Sequence, residues 1–97
     1  PLLARALAID EARFGKNAPE IATDLNNLAT VYSYQNKYAE AEALYKRALE
    51  ISEKTFGPEH PNLIMILSNM SDLYEKTGRR EEAKALLSRA KKIYESR

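Results

Sequence analysis

RALEISEKTFGPEHP, residues 47 to 61, restates RALAIDEARFGKNAP, residues 5 to 19. Arg47 follows Arg5, Phe56 follows Phe14, Gly57 follows Gly15 and Pro61 follows Pro19, each at an offset of 42 residues. A third, fading copy, LLSRAKKIYESR, puts Arg89 another 42 residues beyond Arg47. Self-similarity at a fixed period marks an array in which one supersecondary unit is stacked on itself.

The punctuation between the copies gives the unit its shape. Gly15, Gly57 and Gly78, with Pro19, Pro58 and Pro61, all fall between apolar-periodic segments and none interrupts one. Glycine adopts the left-handed conformation that ends a helix, and proline opens the next. From Pro19 the apolar residues Ile21, Leu25, Leu28, Ala29 and Tyr32 recur at three- and four-residue spacing, and the same face returns from Pro61 as Leu63, Leu67, Met70, Leu73 and Tyr74. A second helix in each unit carries Ala41, Leu44, Tyr45, Ala48, Leu49 and Ile51. Asn36 stands where Gly78 stands, and asparagine is the best non-glycine residue for a left-handed turn position. Five helices are expected, roughly over 2–13, 19–35, 38–54, 61–77 and 80–96.

Short connections make neighbouring helices antiparallel, and a regular repeat stacks each pair on the one before. The expected fold is all-α: a right-handed superhelical solenoid whose concave side is lined by the first helix of each pair. Ala29, Ala41 and Ala48 allow close packing, and Ser71 keeps the Ala29 position small. The chain divides into a second helix of a preceding repeat (1–18), a full repeat (19–60) and a capping-like full repeat (61–97).

Composition excludes several function classes. The 97 residues carry 15 basic and 14 acidic side chains, a balance that gives little of the long-range field typical of nucleic-acid or membrane-surface binders. With no cysteine there is neither a disulfide framework nor a thiolate metal site, which is compatible with a reducing, cytoplasmic setting. No apolar run reaches membrane-spanning length, so the chain reads as soluble.

The pattern LNNLATVY (25–32), then YAEAEALYKRAL (38–49), then FGPEHP (56–61), resembles the tetratricopeptide repeat in its 42-residue form, the form typical of kinesin light chains. The resemblance covers nearly the whole chain. It implies a protein-binding scaffold whose concave groove holds a peptide segment of a partner, with no cofactor.

Within that frame the first helices leave Thr23, Asn26, Asn27, Thr30 and Tyr34 on one repeat, and Met65, Asn69, Asp72 and Lys76 on the next, for the concave face. Asn27 and Asn69 share a repeat position. The resemblance implies that an asparagine there contacts ligand backbone; the residues alone fit equally a solvated amide or one bonded within the hairpin. Tyr34 offers an aromatic ring at the groove edge, or a turn residue packed against Tyr38. Thr23, Asn26, Thr30, Met65 and Ser68 are uncharged, so the resemblance does not extend to the subclass that grips an acidic C-terminus with Lys and Arg.

His60, the sole histidine, lacks the companions of a metal or catalytic site and is expected to order its turn. Residues 79–97 hold seven basic side chains against three acidic ones, where a nucleic-acid reading would start; their interleaving with glutamates reads instead as a solvated terminal helix. Lys91 replaces Leu7 and Leu49, as on a terminal cap. Leu3 and Leu7 belong to a helix whose antiparallel partner is missing, leaving an apolar face for more of the array or for another copy. Two functions are expected in order: a peptide-binding adaptor, then a self-assembly module stacking through that N-terminal face.

Overall fold

A computed structural model describes the backbone of all residues except Pro1, Asn17 and Arg97, and the side chains of Leu2 and Leu3 are likewise not described. Helices span α1 (Leu2–Phe14), α2 (Pro19–Tyr34), α3 (Tyr38–Phe56), α4 (Asn62–Lys76) and α5 (Arg80–Glu95). The five expected segments are present, with boundaries within about two residues.

Each turn follows its local chemistry. Asn36 takes φ 64° and Gly78 φ 80°, so the two repeat-equivalent positions share a left-handed conformation. Around them the same pair of bonds recurs: Lys37 N–H to Tyr32 O at 2.8 Å and Asn36 N–H to Ser33 O at 3.0 Å, then Arg79 N–H to Tyr74 O at 2.8 Å and Gly78 N–H to Glu75 O at 3.2 Å. These bonds satisfy the last carbonyls of α2 and α4 and turn the chain back on itself.

The resulting order is a zigzag in which α1 packs on α2, α2 on α3, α3 on α4 and α4 on α5, with α2 also touching α4. Ala29, Ala41, Ala48 and Ala83 are fully buried, small side chains that let the helices approach closely. Ile21, Leu25, Leu63 and Leu67 are fully buried as well, each stabilising the fold by about 1.5–3 kcal/mol. Leu49 and Leu86 pack against both apolar clusters and join them into one core. Ser71 is buried in place of Ala29, and its hydroxyl donates to Ala83 O at 3.0 Å, so the added oxygen is satisfied by α5.

The N-terminal helix corrects one expectation. Leu7 is only 9 % exposed and belongs to the core, because it faces α2, the helix that follows it. It is not on an uncovered face; the Leu3 side chain lies outside the described residues. Among its described side chains α1 instead leaves Ile9 and Phe14 exposed, at 59 % and 42 %. At the other end Lys91 is exposed as expected, beside exposed Leu87 and Tyr94.

Candidate peptide-binding groove

The first half of α2 and the first half of α4 run side by side over the last turns of α3, and a cavity of about 550 Å³ opens between them. Thr23, Asn26 and Asn27 line it from α2, Met65 and Ile66 from α4, and Ser52 and Phe56 from α3. The helix starts set its mouth. Pro19 begins α2, and α4 is opened by the GPEHP turn, where His60 Nδ1 accepts the Asn62 N–H at 3.0 Å while its ring stacks on Phe56 at 4.6 Å. His60 therefore orders the turn, and does so beside Phe56 of the cavity lining.

Of the sequence-expected groove residues, Thr23, Asn26, Asn27 and Met65 border this cavity, and the others lie further along the face. Met65 is 65 % exposed, a large apolar side chain at the cavity's edge. Thr23 and Asn27 are exposed polar neighbours of it. Asn26 is 6 % exposed, and its Oδ1 accepts a hydrogen bond from Asn69 Nδ2 at 3.1 Å. The two amides bridge α2 to α4, so Asn69 is engaged inside the protein while its repeat equivalent Asn27 is exposed. Thr30 is likewise engaged: its hydroxyl donates to Asn26 O at 3.0 Å and is hydrogen-bonded to Tyr45 Oη at 2.7 Å, linking α2 to α3.

At the far end Tyr34 is 78 % exposed, with the Lys76 ammonium 5.2 Å from its ring centroid. This cation–π contact joins α2 to α4, and Tyr38 Oη donates to Asn36 Oδ1 at 2.8 Å. Asp72 is exposed between the two ends. The face thus has an apolar cavity at one end, an internal amide bridge in the middle and an aromatic–cationic edge at the other. The cavity floor, Ser52, Phe56 and Ile66, escapes sequence reading because its members come from different repeats. The recurrence of Phe14 at Phe56 was the available signal.

A second network centres on Glu42. Glu42 on α3 accepts from Arg79 at 2.7 Å and from Tyr74 Oη at 3.2 Å, and pairs with Lys46 at 3.0 Å. Burial alone would raise its carboxyl, but these donors and cations hold it below the ordinary range. Arg79 also pairs with Glu82 at 2.8 Å and lies 4.1 Å from the Tyr74 ring centroid. Arg89 pairs with Glu53 at 2.6 Å. Two of the basic residues that could have met phosphate are therefore engaged with carboxylates. Among the described residues no three His, Asp or Glu side chains gather as a metal site. No helix among them is long and apolar enough to cross a membrane.

The model of the tetratricopeptide repeat matches residues 1–54 and again residues 37–96. The chain belongs to the tetratricopeptide-repeat family. Its overlapping matches agree with the 42-residue internal period, and its helix pairs form the helical solenoid of that family, a fold that mediates protein–protein interaction without catalysis. No curated protein matches the chain.

Proposed function

We propose that this tetratricopeptide-repeat chain is a non-enzymatic adaptor that binds a peptide segment of a protein partner along the concave face, with an apolar side chain of the peptide seated in the cavity between α2 and α4. One observation carries the reading. The cavity of about 550 Å³ combines an apolar floor and wall (Phe56, Ile66, Met65) with exposed hydroxyl and amide groups (Thr23, Asn27) at its rim. Ligand sites have that constitution: apolar area supplies affinity, and a few polar groups fix the direction of the peptide main chain. Glu20 is the sole charged residue on the lining among the described residues, which favours an uncharged anchor side chain over an acidic one.

The test is a peptide-library screen on the parent chain and on an Asn27→Ala, Met65→Glu variant. Both residues are exposed, so circular dichroism should show equal helicity. Peptides retained by the parent and lost by the variant support the groove. Peptides retained equally by both would reject it. Asn69→Ala is unsuited to this purpose because it breaks the amide bridge to Asn26.

A further inference from the structure

We infer that the anchor seated between α2 and α4 is a tyrosine, selected by two polar groups on the cavity lining, the Ser52 hydroxyl and the Asn26 side-chain amide. The inference rests on the groove reading above and names the side chain that suits it.

Ser52 on α3 is 3 % exposed and Asn26 on α2 is 6 % exposed, and both line the cavity. Among the described residues Ser52 Oγ makes no hydrogen bond, and Asn26, whose Oδ1 accepts from Asn69, makes none through Nδ2. Both groups keep contact with the open space of the cavity, unlike Asp24 Oδ2, which is enclosed without a partner. The repeat shows why Ser52 is left over. One unit earlier its equivalent, Asp10, bonds to Asp24; Ile66 stands 42 residues after Asp24 and offers no polar side-chain atom. A nearly buried donor without a partner costs free energy that a ligand with the right polar atom recovers and one without it does not.

Complementarity then narrows the occupant. Asn26 Nδ2 only donates, so the ligand must bring an acceptor, while the Ser52 hydroxyl can donate or accept. Phe56, Ile66 and Met65 call for a large apolar body, and about 550 Å³ admits an aromatic ring. Among the described residues the lining holds no lysine or arginine and one carboxylate, Glu20, so an anionic acceptor is disfavoured. Phenylalanine and leucine have no acceptor, and the tryptophan indole only donates. Glutamine has a suitable tip but little apolar surface to set against the wall. Tyrosine joins a flat ring to a neutral hydroxyl that accepts from Asn26 and donates to Ser52. Phosphorylating that tyrosine would put a phosphate beside Glu20 with no cation on the described lining, and so release the peptide.

Arrayed nonapeptides that differ only at a central tyrosine, phenylalanine or phosphotyrosine test this against the full chain, its Ser52→Ala variant and the Asn27→Ala, Met65→Glu variant. The parent should favour tyrosine over phenylalanine by roughly tenfold and reject phosphotyrosine. Ser52→Ala, a smaller and helix-favouring residue, should bring the tyrosine-to-phenylalanine ratio toward unity while phenylalanine peptides stay bound, a change in preference that loss of structure would not produce. Peptides lost in the Asn27→Ala, Met65→Glu variant yet indifferent to tyrosine versus phenylalanine overturn the anchor and leave the groove standing. A tyrosine preference unchanged in Ser52→Ala, or phosphotyrosine bound as well as tyrosine, does the same. Peptides held equally by the Asn27→Ala, Met65→Glu variant, or no peptide held at all, overturn the groove reading and the anchor with it.

Discussion

Asn69 donates its side-chain amide to Asn26 Oδ1 across 3.1 Å, and this bond ties α4 directly to α2. Asn26 is buried, so removing its partner strands a polar atom away from water. Asn69→Ala should lower stability by about 1–2 kcal/mol. Asn27→Ala, at the equivalent but exposed position, should stay within about 0.5 kcal/mol of the parent. Urea denaturation of the two variants distinguishes them, and equal losses would mean that the bridge contributes nothing.

The repeat also carries a periodic clamp. Arg47 reaches Glu11 at 2.6 Å and Lys16 O at 2.8 Å; 42 residues on, Arg89 reaches Glu53 at 2.6 Å and Pro58 O at 3.0 Å. Each arginine thereby pins the turn and second helix of the unit before it. Both pairs are partly exposed, so solvent reduces the ion-pair energy, while the carbonyl bond adds geometric definition. Arg47→Ala and Arg89→Ala should each cost about 1 kcal/mol in thermal or urea unfolding. Arg5→Ala, at an exposed position on α1, should cost close to nothing.

The helices, their turns and most of the core were legible in the sequence, because backbone punctuation and apolar period are local properties repeated twice. Asn36 in the place of Gly78 shows this well: a left-handed position was expected from residue type, and both adopt it. The groove was legible only in part. Periodicity says that Asn26, Thr30 and Asn69 point away from the apolar stripe, but the bonds that absorb them run to other helices, Asn26 to α4 and Thr30 to Tyr45 on α3. Leu7 illustrates the same limit. Its apolar character is plain, yet whether it faces into the core depends on the packing order, and Ile9 and Phe14 are the exposed ones on the described part of α1.

Gly78 and Asn36 support a backbone test. At φ 80° a side chain is strained whatever the surrounding space, although nothing lies within 4 Å of a Cβ built there. Gly78→Asn should therefore be tolerated within about 1 kcal/mol, as Asn36 is in the other repeat, whereas Gly78→Val should cost about 1–2 kcal/mol or more from the left-handed conformation alone. Thermal unfolding of the pair is the measurement; a valine variant as stable as the asparagine one would contradict the conformational argument.

Asp24 on α2 gives the fold a pH dependence of definite sign. Its carboxyl is raised from 3.8 to about 6, first by burial, then by its hydrogen bond with Asp10 and the charge of that residue. One oxygen, Oδ2, is buried without a partner. Because the folded-state value lies above the unfolded one, the native chain binds more protons than the unfolded chain between about pH 4 and 6. Stability from this group is thus present below pH 4 and lost as pH rises through 6. Glu42 and Glu82 act oppositely, since their lowered carboxyls contribute stability that disappears as pH falls through their folded-state values, in the more acidic range. A stability maximum is expected between these two regimes, on the acid side of neutrality. Asp24→Asn, which removes the buried charge and keeps an amide for Asp10, should stabilise the chain at pH 7.5 by about 1–2 kcal/mol, allowing for partial solvent screening. It should also abolish most of the parent's gain between pH 7.5 and 5. Urea denaturation at those two pH values checks both statements, and an unchanged pH slope in the variant would assign the dependence to other carboxylates.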